Sequence, residues 1–403
     1  MKPDDTRAAP PMTTKSGGAG AFSRFDLSRV PSPCFVIDKA AIERNLAILA
    51  DVRDRAGIKL LLALKAFSMW SLGDLVGRYL DGTATSGLWE ARLAKAHYHG
   101  EVATFCAGYK AGDLAEVCAL SDHVIFNSPS QIRRFRRELA AARDAGERFD
   151  IGLRLNPMHA EGEVAKYDPA QPHSRLGHPA DQLTAADLEG VTGLHFHSLC
   201  EQDFPPLRRT WEALAPRVAP YLNRLEWLNL GGGHHITRAD YQRDDLVAFL
   251  RDLREATGLE VYLEPGEAIA FDAGVLVGEV LDVIDNGMPV AIVDISATCH
   301  MPDVIEAPYR PAMIGEMPEG EGVAVRLGGP SCLAGDIIGD YRFGELPVPG
   351  QRIAFLDQAH YSMVKTTTFN GVPLPAIALW DSRDDSLEIV REFGWESFRD
   401  RLS

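Results

Sequence analysis

The sequence predicts an α/β protein built as a (β/α)8 TIM-type barrel followed by an all-β, barrel-like domain. Three observations carry this. Eight short apolar segments recur at residues 59–63, 83–86, 103–106, 123–126, 151–155, 192–197, 226–230 and 260–263. Helical stretches fall between most of them, clearest at 88–98, 129–145, 206–221 and 239–256, with apolar residues three and four apart. After Pro265 the texture changes. Segments 274–284, 289–295, 322–326, 351–355 and 374–379 read as strands, punctuated by Asn286-Gly287, Gly328-Gly329-Pro330 and Asn370-Gly371.

Eight strand–helix units in about 230 residues match the size and order of a (β/α)8 barrel. Residues 34–38 are strand-like and precede the first barrel helix, so they are expected to join the β-domain. The expected organisation is a disordered or loosely ordered tail over 1–28, a barrel over 39–270, and a β-domain made of 29–38 plus 271–403.

Composition narrows the function. The chain has 403 residues, too many for one small core, with 46% apolar and 24% charged residues as in ordinary globular proteins. A net charge of −16 argues against binding nucleic acid or an anionic membrane, because phosphates are repelled, and suits a cationic substrate. The six cysteines form no C-x-x-C pair, which leaves zinc ribbons and thioredoxin-type sites unsupported. Residues 1–20 are polar and rich in Pro, Gly and Ala, without the basic start and apolar run of a secretory signal. No run of about 18 apolar residues is present to span a membrane. A reducing cytoplasm is the expected compartment for these thiols.

Barrel chemistry sits where the strands end. The first strand is followed by Leu64-Lys65-Ala66-Phe67, the second by Ser86 and Glu90, the fifth by Asn156 beyond Arg154. The sixth ends His195-Phe196-His197, the seventh runs into Gly231-Gly232-Gly233-His234, and the eighth into Glu264-Pro265-Gly266. Lys65 at an apolar mouth is a lysine whose desolvation lowers its pKa and makes it nucleophilic; read alone, it is also a snorkelling strand-end lysine. Three glycines between a strand and a helix can cradle a phosphate with backbone N–H groups, or simply form a tight turn. His195 and His197 share one strand face and read as a ring-stacking imidazole, a core histidine or a metal pair, although no clear ligand set completes the last. Glu264 can keep a pyridine nitrogen protonated, or serve as a rim carboxylate.

Taken in order, these segments resemble the fold-type III pyridoxal 5'-phosphate (PLP) enzymes, the alanine racemase and ornithine/diaminopimelate decarboxylase superfamily. The resemblance runs from about Pro31 to the C-terminus. It is carried by Leu62-Ala-Leu-Lys-Ala-Phe67, Thr85-Ser-Gly-Leu-Trp-Glu90, Gly193-Leu-His-Phe-His-Ser-Leu-Cys-Glu201, Leu228-Asn-Leu-Gly-Gly-Gly-His-His235 and Leu263-Glu-Pro-Gly-Glu-Ala268. His300-Met-Pro-Asp-Val-Ile-Glu-Ala-Pro-Tyr-Arg-Pro311, Gly328-Gly-Pro-Ser-Cys-Leu-Ala-Gly-Asp336 and His360-Tyr361 complete it. Within the superfamily the chain is most similar to the branch that decarboxylates carboxylated polyamines, carboxynorspermidine and carboxyspermidine.

The resemblance implies roles. Lys65 matches the lysine that holds PLP as a Schiff base, and His197 the histidine that stacks on the pyridine. Gly231, Gly232 and Gly233 match the phosphate loop, Tyr361 a second phosphate contact, and Glu264 the partner of the pyridine nitrogen. Cys332 matches the cysteine contributed by a second subunit to reprotonate the carbanion, which implies a homodimer with shared active sites. Asp336, Glu267, Asp303 and Glu306 are the expected acidic contacts for the substrate amines. Two positions depart from the ornithine decarboxylase pattern: Cys200 stands where a phosphate-binding serine is common, and Glu267 where E-P-G-R has its arginine. Another decarboxylase of this fold, such as a diaminopimelate decarboxylase, is the alternative. A non-catalytic PLP or polyamine sensor and a metal-dependent barrel hydrolase are more distant.

Overall fold

The computed structural model describes residues 12–13, 18–162 and 165–403. The chain forms two compact units, one of residues 43–269 and one of residues 1–42 with 270–403.

The first unit is a closed barrel of eight parallel strands: β1 (Lys59–Ala63), β2 (Gly82–Thr85), β3 (Glu101–Cys106), β4 (His123–Phe126), β5 (Asp150–Asn156), β6 (Gly193–His195), β7 (Trp227–Asn229) and β8 (Glu260–Leu263). Each strand pairs in parallel with the next, and β8 closes on β1 through Leu263 and Leu60. Leu60, Leu61 and Leu62 are fully buried, as expected of a parallel strand covered on both faces. The barrel core holds Leu61, Ala84, Ala103, Ile125, Trp227 and Tyr262. Trp227 explains two glycines: a Cβ on Gly193 would lie 1.9 Å from its indole, and one on Gly152 would lie 2.5 Å from it.

The N-terminal ends of the strands carry a charged floor. Lys59 pairs with Glu101 and, at 2.9 Å, with Glu260. The Tyr262 hydroxyl lies 2.6 Å from Glu260 and 3.0 Å from Glu101, and His123 Nε2 lies 3.4 Å from Glu101. Burial pushes the Glu101 carboxyl up, but hydrogen bonds from His123, Lys59 and Tyr262 outweigh it and bring it to about 2.

Several helices depart from the sequence pattern. The helix expected over 129–145 is two, Pro129–Arg134 and Arg136–Asp144, broken at Phe135 (φ −98°, ψ 15°), whose ring is buried. The helix expected over 239–256 runs from Arg243 to Thr257 and ends on left-handed Gly258 (φ 70°), which lacks the Cβ that such a cap would strain. Helices Lys39–Ala56 and Ala111–Leu120 complete the series.

The second unit is a mixed sheet. In space its strands run Ile337–Phe343, Val323–Gly328, Pro289–Val293, Gly274–Asp285, Cys34–Asp38, Ala376–Asp381, Ser386–Arg391. The long Gly274–Asp285 strand pairs along its first half with both Cys34–Asp38 and Arg352–Leu356, and along its second half with Pro289–Val293. The core contains Val36, Val275, Val277, Ala354, Ala378 and Trp380. Phe22 and Phe25 pack on Trp380 with ring centroids 5.3 and 4.9 Å apart. The loose tail expected over 1–28 is therefore ordered from residue 20 onward, because two aromatic rings are buried there. Residues 1–11 and 14–17 of that tail lie outside the described residues.

Candidate active site

The mouth of the barrel, at the C-terminal ends of its strands, holds a cavity with about 330 Å³ of open space, lined by Lys65, Phe105, Arg154, His195, His197 and Glu264 among others. Lys65 stands two residues past β1, where Leu64 N–H still bonds Ala84 C=O and holds the chain to the rim. Its Nζ lies 3.2 Å from His197 Nε2. The Gly232 N–H donates to His197 Nδ1 at 2.8 Å. Burial, then Lys65 and Arg154, hold the His197 imidazole well below its usual range, so it is neutral. A neutral imidazole that accepts at Nδ1 carries its proton on Nε2. The Nε2–H can then donate to Lys65 only if that amine is unprotonated. Desolvation first, and Arg154 second, lower the Lys65 pKa against the opposing pull of Glu264, in the same direction. Solvent reaches Lys65 at the mouth, which moderates the shift without reversing it.

Glu264, at the end of β8, accepts from Asn229 Nδ2 at 2.8 Å and lies 3.3 Å from His195 Nε2. Burial pushes this carboxyl up, but His195, Lys65 and Asn229 outweigh it, so it stays ionised. His195 is 1% exposed and stacks on Phe105 with centroids 5.6 Å apart. β6 ends at His195, short of the strand expected through residue 197, so the two histidines face different partners, Glu264 and Gly232. Arg154 lies over the Phe105 ring at 4.4 Å and donates to the His197 carbonyl at 2.8 Å. Burial brings its guanidinium to about 10, still cationic at neutral pH.

The segment after β7 forms a close-fitting cradle. A Cβ on Gly232 would lie 2.0 Å from the Glu264 carbonyl oxygen, and one on Gly233 would lie 2.0 Å from that of Leu199. Gly231 (φ 71°) and Gly233 (φ 87°) adopt left-handed backbone. Side chains are thus excluded from the turn. Such a turn fits a phosphate, and the lysine of lowered pKa, neutral imidazole and ionised carboxylate around the cavity fit the pyridoxal ring of PLP.

The remaining expected site residues, Glu267 excepted, lie in the second unit. The Cys332 thiol is exposed, its backbone N–H bonded to Asn370 Oδ1 at 2.7 Å. Asp336 is 2% exposed, and its carboxylate accepts from Ser296 Oγ (2.8 Å), Thr298 N (3.1 Å) and Ser331 Oγ (2.6 Å), which ties two loops of the unit together. Asp303 pairs with Lys365 at 2.6 Å, on a short helix that also carries the exposed Glu306. Tyr361 (φ 43°) has Lys365 Nζ 5.7 Å from its ring centroid. In the barrel, Glu267 lies 3.0 Å from the buried His235.

Three residues of the cavity network escaped the sequence reading. Asn229 and Phe105 look like ordinary strand residues, and only Asn229, two residues before the first glycine of the turn, had a positional signal. His235 was visible only as the second half of the His234-His235 pair. Arg154, ambiguous in sequence, is part of the cavity wall.

Comparison with known proteins agrees with this geometry. Residues 34–359 match the family model described as the pyridoxal-dependent decarboxylase, C-terminal sheet domain. The chain is 36% identical to the carboxynorspermidine/carboxyspermidine decarboxylase of Campylobacter jejuni subsp. jejuni over 92% of its own length and 98% of that protein. It is 40% identical to the carboxyaminopropylagmatine decarboxylase of Synechocystis sp. over 93% and 96%. The crystal structure of the C. jejuni carboxynorspermidine decarboxylase complexed with norspermidine superposes with a TM-score of 0.84 at 35% identity, covering 92% of this chain and 100% of that one. Diaminopimelate decarboxylase from Helicobacter pylori shares the fold alone, at 18% identity and a TM-score of 0.77 over 93% and 98% of the two chains. The chain belongs to the pyridoxal-dependent decarboxylases.

Proposed function

We propose that this protein uses PLP to decarboxylate a carboxylated polyamine, carboxynorspermidine or carboxyspermidine, releasing norspermidine or spermidine. The observation that carries the reading is the Lys65–His197–Gly232 chain, which sets a lysine of lowered pKa beside a glycine cradle and an ionised Glu264. Relatives at 36–40% identity over nearly the whole chain support the substrate class. The Synechocystis relative favours a second reading, carboxyaminopropylagmatine, in which a guanidinium stands at the end of the substrate.

Lys65 would anchor the cofactor, Gly231–Gly233 its phosphate, with Tyr361 as a further contact, His197 its ring face and Glu264 its pyridine nitrogen. PLP, when bound, supplies the electron sink for the pair released with carbon dioxide. Glu264, held ionised by His195 and Asn229, places a fixed negative charge at the cavity wall without reorganisation. Lys65, its pKa lowered by desolvation, is placed to accept and return protons. Cys332, exposed beside exposed Leu333 and bonded through its N–H to Asn370, is assigned to a second copy's active site, where it would deliver a proton to the substrate carbon. Asp303 and Glu306 remain the candidate partners of the distal amines. We assign the protein to the cytoplasm, since none of its six cysteines is in a disulfide. No helix among the described residues is long and apolar enough to cross a membrane.

Carbon dioxide release from a panel of carboxynorspermidine, carboxyspermidine, carboxyaminopropylagmatine, ornithine, lysine and meso-diaminopimelate tests the substrate. One of the first three should dominate. Preference for ornithine or diaminopimelate overturns the assignment. Mixing Lys65→Ala and Cys332→Ala chains, each inactive alone, should restore about a quarter of wild-type activity if sites are shared in a dimer. No recovery refutes the shared site.

A further inference from the structure

We propose that Glu267 and His235 form a positioning pair that locks the exit of the glycine turn and thereby sets the N–H groups that take the cofactor phosphate. The inference rests on the PLP reading above. It replaces the substrate contact expected for Glu267.

Arg238 Nη1 lies 3.3 Å from His235 Nδ1. A guanidinium can only donate, so Nδ1 accepts, and a neutral His235 keeps its hydrogen on Nε2. That nitrogen sits 3.0 Å from Glu267 Oε1. Arg238 is itself held by the Asp203 and Asp240 carboxylates. Arg238 thus fixes the tautomer of His235, whose Nε2 meets the Glu267 carboxylate as a close polar contact without an aligned hydrogen bond.

This chain acts on the turn from its far side. Asn229, which precedes the glycines, donates to Glu264 at 2.8 Å and accepts from Gly231 N–H at 2.9 Å. His235, which follows them, faces Glu267, and its N–H bonds the Gln202 carbonyl at 3.0 Å. Gln202 N–H returns a bond to the Gly233 carbonyl at 3.1 Å. The two carboxylates of Glu264-Pro265-Gly266-Glu267 thus clasp the turn at both ends. An acid where related enzymes carry an arginine is explained by this: it holds the turn through a buried imidazole (1% exposed) instead of touching the phosphate.

A cation site is the competing use of these residues. The ligand atoms of Glu201, His235 and Glu267 lie within 4.8 Å of one another. The Nε2 hydrogen occupies the direction a metal would need, which favours the positioning role.

The test titrates the full-length, cofactor-stripped chain and its Glu267→Leu and Glu267→Gln variants with PLP and, separately, with phosphate-free pyridoxal. Borohydride trapping on Lys65 serves as the readout. Glu267→Leu should weaken PLP binding by about 10- to 100-fold, the usual effect of losing an outer-shell partner, and change pyridoxal binding by less than about twofold. Glu267→Gln should stay within about threefold of wild type, because its amide oxygen still meets Nε2–H. Equal losses for PLP and pyridoxal, or tighter PLP binding by Glu267→Gln, would overturn the proposal. So would a PLP affinity that rises with added magnesium and falls with EDTA. If the wild-type chain itself traps no PLP on Lys65, the PLP reading fails; if it does and both variants match it, only the positioning pair fails.

Discussion

The two units treat their buried acids in opposite ways. In the barrel, Glu264 is buried yet kept ionised by a histidine and an amide, and its charge faces a cavity. In the sheet unit, Asp336 is buried more deeply, and hydroxyl and amide donors of its own loops bond its oxygens. Both looked like site carboxylates in the sequence. Satisfaction of the oxygens, more than burial or motif membership, separates a working acid from a structural one.

The comparison can be broken at several points. Lys65→Ala should reduce decarboxylation by at least about 10³-fold and abolish borohydride-trapped cofactor while leaving the melting temperature unchanged; a variant retaining a tenth of the activity would remove Lys65 from the chemistry. Glu264→Gln keeps the Asn229 contact but loses the charge. It should lower kcat by about 10²-fold with a smaller effect on stability. Asp336→Asn should do the reverse, lowering the melting temperature by about 2–6 °C with KM unchanged; a tenfold rise in KM with no loss of stability would return Asp336 to the substrate site.

The smallest expected effect lies at the barrel floor. Glu101 has a folded-state pKa of about 2, below its ordinary 4.5, so its stabilisation is complete above about pH 4.5 and is lost as pH falls toward 2. Circular-dichroism melts of Glu101→Gln should therefore show a flatter acid limb than wild type over that window. Parallel curves would take Glu101 out of the acid response.

Much of the barrel was legible because its signals are local. The Leu60–Leu64 run announces a strand buried on both faces, and the residue after it must lie at a rim. Position alone put Lys65, the glycine turn and Glu264 at the rim; the roles expected of them came from the family resemblance. The missing parts depend on distance in the chain. Phe105 is 90 residues from the histidine it stacks on, and His235 is 32 from the glutamate it faces; no periodicity reports such pairs. The break at Phe135 was invisible for a related reason, since the residue has a helical spacing and only its buried ring shows why the helix restarts there. Asp336 shows the limit of a motif, which does not say whether folding or chemistry calls for the residue.

Trp227 has a practical consequence for anyone redesigning this barrel. Its indole fills the volume that side chains at 152 and 193 would take, so the three positions behave as a single volume constraint. A library that varies residue 193 alone will be depleted of everything larger than glycine. One that varies 152, 193 and 227 together can trade the tryptophan for several smaller residues on neighbouring strands, opening a route to rebuilt cores beneath an unchanged mouth.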